Sequence, residues 1–176
     1  MADARLVPFR APAASFCAFL AIQAVSAAVL FALKLGGTPA RVQEFYLGSE
    51  ATFAAPKTIE GLLETAVPHL VAVPLVLFIA AHLVGFAGLL RRRVFGLLCG
   101  ASFAAALAGV LASFAVRFVW PALSVVKLGA FLALEATLLA WIALLGLTFA
   151  TPRRSTARAS GATPAVTATP AHRSAR

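Results

Sequence analysis

Two ionisable side chains, His82 and Glu135, stand deep inside long apolar stretches of this 176-residue chain. A carboxyl group in hydrocarbon must be protonated, paired or set against a wet cavity, so the energetics demand a partner. An imidazole is the best partner the sequence offers, ahead of Thr137 and Gln23. Joined, His82 and Glu135 form a candidate buried polar pair that accepts a proton or lines a polar ligand pocket. The alternative is a structural hydrogen bond between two helices. At a helical rise of about 1.5 Å per residue, His82 falls roughly 24 Å below Ala66 and Glu135 roughly 18 Å below Leu123, so the two can meet.

A second candidate polar group collects where three apolar stretches end on one side: Glu64, His69, Arg117 and Lys127. Cations beside an imidazole suit an anion or a quinone-type headgroup; salt bridging and snorkelling at the membrane edge explain them more cheaply. A metal site is not expected from Glu60, Glu64 and His69, because Glu64 and His69 diverge around a helix axis. Haem b is the one cofactor the histidines bring into question. His69 and His82 lie about 140° apart on a straight helix of 3.6 residues per turn, and Pro74 between them kinks that helix and corrects part of the difference. No other stretch carries a histidine and the only methionine is Met1, so a b-haem would need a symmetric dimer or another subunit. His172 lies in a polar tail and reads as solvated. No catalytic motif is present, and no catalytic residue is nominated.

The elements that must position these groups follow from composition. Hydrophobic residues make up 61% and charged residues 12%, with a mean hydropathy of +0.94. A water-facing surface cannot be built from that, so the chain must be solvated by lipid. Apolar runs at 13–33, 66–90, 94–116 and 123–149 each reach the roughly 20 residues needed to cross a hydrocarbon core of about 30 Å. Backbone groups in lipid must bond internally, which makes each run a helix. The expected fold is an all-α integral membrane protein: a four-transmembrane-helix bundle over 13–150, preceded by a segment at 1–12. A short surface helix is expected in the 34–61 connection, and a disordered basic tail at 151–176.

The net charge of +9 belongs to the flanks of the spans. Arg5, Arg10, Arg91, Arg92, Arg93, Arg153, Arg154, Arg158, Arg173 and Arg176 fall on one side, against Lys34, Arg41, Lys57, Arg117 and Lys127 on the other. The positive-inside rule then makes both termini cytoplasmic, and no nucleic-acid partner is implied. The first run is longer than the core of a signal peptide and is expected to stay uncleaved. Cys17 and Cys99 read as buried structural thiols rather than a disulfide.

Local signals refine the connections. Thr38-Pro39 marks a helix start and Gly48 a stop, with Val42, Phe45, Tyr46 and Leu47 as its apolar side. Tyr46 and Phe53 suit the headgroup zone. Thr58 is placed to cap the second long helix, with Glu60 and Glu64 in its first turns. In the third span Gly96, Gly100, Ala104, Ala108 and Ala112 form one small-residue row, and Ala101, Ala105, Gly109 and Ser113 form another. Ala24, Ala28 and Ala32 repeat the pattern in the first span. Such rows let helix backbones approach closely, toward another span, a protein partner or a second copy in a homo-oligomer.

Phe45-Tyr46-Leu47-Gly48, Pro56-Lys57-Thr58, Leu62-Leu63-Glu64, His69 and His82-Leu83 together resemble a family of uncharacterised four-span bacterial inner-membrane proteins. The resemblance covers residues 43–86. It implies the four-span fold and a multi-pass location in the bacterial inner membrane, and it implies no activity. That family's second long helix opens with two histidines separated by one residue; His69 matches the second and Val67 stands in place of the first, which weighs against metal or haem. Three functional readings remain: a non-catalytic subunit or assembly factor of a membrane complex, an electron- or proton-handling component (b-haem or quinone associated) using His69, His82 and Glu135, and an oligomeric small-solute transporter.

Overall fold

The computed structural model describes residues 10–150. The expected tail and most of the N-terminal segment lie outside the described residues. Five α-helices follow in order: α1 (Arg10–Lys34), α2 (Pro39–Leu47), α3 (Ile59–Ala87), α4 (Arg92–Phe118) and α5 (Ser124–Ala150), with a 3₁₀ turn at Pro121–Leu123. Four of them are long and apolar enough to cross a membrane: Ala11–Lys34, Ile59–Ala87, Arg92–Phe118 and Pro121–Thr148. This is a multi-pass membrane protein of four spans.

The helix ends obey the local chemistry. Thr38 caps α2, its hydroxyl accepting from the Arg41 amide at 3.4 Å, and Pro39 occupies the first turn, where its missing N–H costs nothing. Thr58 caps α3 by accepting from the Gly61 amide at 3.1 Å. That cap starts α3 at Ile59, a full two turns before the apolar run at 66, because Glu60 and Glu64 lower hydropathy without opposing helix. Gly88, at φ 63°, caps it in the left-handed region, so α3 ends three residues short of the expected end. Pro68 and Pro74 both lie inside α3.

Packing follows one seam per helix. On α1 Ala13, Leu20 and Ala24 are buried with Cys17, Ala27 and Phe31 half-buried between and beyond them, and on α4 Ser102, Ala105, Ala112 and Val116 are buried around half-buried Gly109. Both sets advance by alternating steps of three and four, the 3.5-residue repeat of helices packed nearly along one another. α5 is central, touching α1, α3, α4 and α2. Leu20, Leu77, Ala80, Val84, Leu138, Trp141 and Leu145 form the main core, and Phe31 stacks on Phe131 at 3.7 Å to join α1 to α5.

The expected small-residue row splits along this seam. Ala112 is buried and Ala108 half-buried, but Gly96, Gly100 and Ala104 are exposed. A step of four residues turns 400°, so the row creeps about 40° per step and leaves the interface. The neighbouring row keeps Ala105, Gly109 and Ser113 in or beside the seam. On α1 the corresponding row keeps Ala24 and exposes Ala28 and Ala32.

At one end α2 roofs the bundle. Val42 and Tyr46 pack with Leu62 in the first turn of α3 and Val116 in the last turn of α4. Tyr46 is only 5% exposed, so its expected place among lipid headgroups is corrected: the apolar side of α2 faces the helix ends rather than the bilayer.

Candidate functional site

The expected pair of His82 and Glu135 does not form. Ala80 and Val84 are both buried; His82 lies two residues from each, about 200° round the helix, and is exposed on the far side of α3. Its Nδ1 meets the Phe78 carbonyl of its own helix at 3.0 Å. A carbonyl can only accept, so Nδ1 is the donor of this bond and Nε2 is the ring nitrogen turned outward. The Phe78 ring lies 4.0 Å and the Phe86 ring 6.3 Å from the imidazole, centroid to centroid.

Glu135 occupies a different side of the bundle. It sits one turn beyond Phe131, whose ring is stacked on Phe31, so it borders the contact between α5 and α1. The carboxyl is half-buried there. Among the described residues no hydrogen bond or ion pair joins it to His82, Thr137 or Gln23. Thr137 instead donates to the Leu134 carbonyl at 2.9 Å. Depth counting let the two groups meet but said nothing of direction, and direction separates them.

The second expected group is also dispersed. Glu64 and His69 are exposed on α3, and His69 Nδ1 meets the Thr65 carbonyl at 2.8 Å. Arg117 Nε donates to the Lys57 carbonyl at 2.9 Å, fastening the connection before α3 to the end of α4. Lys127 Nζ donates to the Gly109 carbonyl at 2.7 Å. Among the described residues the ion pair is Arg41 with Glu44, at 3.3 Å, and no group of three metal-ligating side chains gathers.

Polar contacts that sequence reasoning did not find hold the roof and the bundle. The Tyr46 hydroxyl shares a 3.0 Å hydrogen bond with Ser113, which donates to the Gly109 carbonyl at 3.2 Å. Burial pushes the Tyr46 phenol above its ordinary value, with the Ser113 bond pulling the other way. Gln43 Nε2 donates to the buried Ser124 hydroxyl at 3.1 Å, tying α2 to α5. Nearer the other end Trp141 Nε1 donates to Ser102 Oγ at 3.0 Å. Ser113 was visible as a member of a small-residue row. Ser102 carried no signal beyond its size.

Beside Pro74 a cleft of about 220 Å³ opens between α3 and α4, lined by His69, Pro74, Phe103, Ala106 and Val110 among others. A second, of about 200 Å³, lies near Gly85, Arg92 and Phe95. Both fall below the roughly 300 to 1,000 Å³ of typical ligand pockets. The candidate polar groups are thus spread over several places and do not converge on one chamber.

Residues 36–156 match the model of a family described as a transmembrane helical domain. The match takes in α2 to α5 and begins after α1. No curated protein and no solved structure matches the chain.

Proposed function

The chain belongs to this transmembrane helical domain family, and from the direction of its intramembrane polar groups we propose that it is a non-catalytic subunit or assembly factor of a bacterial inner-membrane complex. The observation that carries the reading is His82, turned away from the core with Nδ1 bonded within its own helix and Nε2 directed outward. A polar ring nitrogen facing lipid costs free energy until a partner reaches it, and among the described residues no hydrogen bond to Nε2 forms. A neighbouring helix of another protein, presenting an O–H or N–H group, removes the cost. Glu135 at the edge of the α1–α5 contact makes the same demand at a second place. The excess of Lys and Arg on one set of flanks supports a topology with both termini in the cytoplasm.

The test is the size of the particle extracted from native membranes in a mild detergent. The chain is expected to migrate as part of a larger assembly, and His82→Leu to release it at unchanged folded yield. A wild-type chain that migrates alone, or an assembly indifferent to His82→Leu, overturns the reading.

A second reading is favoured by one detail. His69 and His82 each have Nδ1 held by a carbonyl four residues earlier, the arrangement in which a ligating histidine is oriented by its other nitrogen. An electron-handling component would then take a b-haem between this chain and a partner, one axial ligand from each. A haem absorption band in the extracted assembly, lost in His82→Ala or His69→Ala, replaces the first reading with this one.

A further inference from the structure

Between α2 and α3 the chain makes a tight hairpin whose last loop residue is an aromatic in an unfavourable conformation. Ser49 and Ala54 exchange both backbone hydrogen bonds at 3.0 Å, and the Phe53 amide donates to the Glu50 carbonyl at 3.3 Å. Phe53 has φ of 52°, the left-handed region that a side chain with a β-carbon rarely enters. Phe53 is nevertheless 96% exposed, so among the described residues no packing contact repays the strain.

The hairpin is fixed to the bundle rather than loose. Gly48 runs so close to the far arm that a β-carbon there would come 2.5 Å from the Ala54 carbonyl oxygen. The Lys57 amide donates to the Tyr46 carbonyl at 3.0 Å. Tyr46 in turn is held by Ser113. The position of Phe53 is therefore set by α2, which rests on Leu62 and Val116 at the helix ends.

Depth identifies what meets the ring. α3 has 29 residues, about 43 Å at 1.5 Å per residue, against a hydrocarbon core of about 30 Å and about 40 to 45 Å with both headgroup layers. Its first turn thus lies among headgroups, and so does the hairpin tied beside it. Other large apolar residues are exposed at the same end: Ile59 and Leu63 on α3, and Phe118 and Trp120 where α4 turns into α5. Trp concentrates in that layer, and Phe buries its ring at the boundary between headgroups and acyl chains.

We propose that Phe53 is a membrane-interface anchor, presented by the 49–54 hairpin to the headgroup layer of the leaflet at the α2 end. The anchor ties the roof helix to the bilayer as well as to the bundle, and it is independent of any partner at His82.

The test places a nitroxide at Phe53→Cys, and separately at Glu50→Cys, in the full chain carrying Cys17→Ala and Cys99→Ala and reconstituted in phosphatidylcholine vesicles. Collisional relaxation by oxygen relative to a water-soluble nickel chelate is expected to be several-fold higher at 53 than at 50. Equal ratios, with 53 as open to the chelate as 50, overturn the proposal. Should the cysteine-free chain fail to fold, Phe53→Trp in the native-cysteine chain carries the same test. Its added emission should be blue-shifted and quenched by lipids brominated near the headgroup, and water-like, unquenched emission overturns the proposal equally.

Discussion

The indole Nε1 of Trp141 donates to the hydroxyl of Ser102 at 3.0 Å, and that hydroxyl donates on to the Leu98 carbonyl at 2.7 Å. Trp141 is 1% and Ser102 0% exposed, so this chain of bonds locks α5 to α4 inside the bundle. Phe95 meets the same indole edge-on at 6.0 Å. Ser102→Ala strands the indole N–H in an apolar interior and is expected to cost about 1 kcal/mol. Trp141→Phe strands nothing, since Ser102 keeps its bond to Leu98. A double-mutant cycle by reversible unfolding in mixed micelles should therefore show Ser102→Ala nearly silent in the Trp141→Phe background; equal cost in both backgrounds refutes the bond's role.

The roof gives a pH prediction. Tyr46 is the only tyrosine, and burial raises its phenol above the ordinary value near 10, against a smaller opposing effect of the Ser113 bond. A group whose folded value is raised contributes stability that is fully present below the unfolded value and lost as pH rises through the folded one. Phenolate absorbance should titrate above about 10, and stability should fall over that range more steeply in wild type than in Tyr46→Phe. A midpoint at or below the ordinary value contradicts the buried position.

His82 and Glu135 face different sides of the bundle, so they should not be coupled. His82→Leu and Glu135→Gln in the isolated chain are each expected to change stability by no more than about 0.5 kcal/mol, and to add within about 0.3 to 0.5 kcal/mol when combined. A coupling energy above about 1 kcal/mol restores the internal pair.

That separation shows what could be read from residues alone and what could not. The four spans were legible because run length against bilayer thickness is a one-dimensional test, and Thr38, Gly48 and Thr58 announced their helix ends by type. The orientation of α3 was not legible. Apolar residues surround it on every side, so Leu77, Ala80 and Val84 look no more buried than Leu75 or Ile79 until neighbouring helices are in place. The Ser102 bond was hidden for a related reason: in a helix of Ala and Gly a serine reads only as another small residue. The hairpin at Phe53 depends on a close approach between Gly48 and the Ala54 carbonyl that no spacing encodes.

The glycines of α4 separate the internal seam from its outward face. A β-carbon on Gly109 would stand 4.0 Å from that of Ala130, an ordinary contact, whereas Gly96 and Gly100 have nothing within 4 Å. Gly109→Ala should be tolerated, gaining up to about 1 kcal/mol of helix propensity, and Gly109→Leu should cost about 1 to 3 kcal/mol by prising α4 from α5. Gly96→Leu and Gly100→Leu should leave the isolated chain folded. If they destabilise it as Gly109→Leu does, the packing seam has been assigned to the wrong row.

The last expectation concerns strain. Holding a β-carbon residue in the left-handed region costs about 1 to 2 kcal/mol, which glycine does not incur. In Phe53→Gly the hairpin keeps both Ser49–Ala54 bonds and sheds that cost, though the unfolded chain gains freedom that offsets about 0.4 to 1 kcal/mol of it. In detergent, where no ordered headgroup layer exists, Phe53→Gly should unfold at the same temperature as wild type or slightly higher. In vesicles the wild type should be the more stable of the two, because only there does the ring have a layer to enter. Unfolding midpoints in the two media decide it: the same ranking in both means that the bilayer does nothing for Phe53, and that the strain in the hairpin loop has another cause.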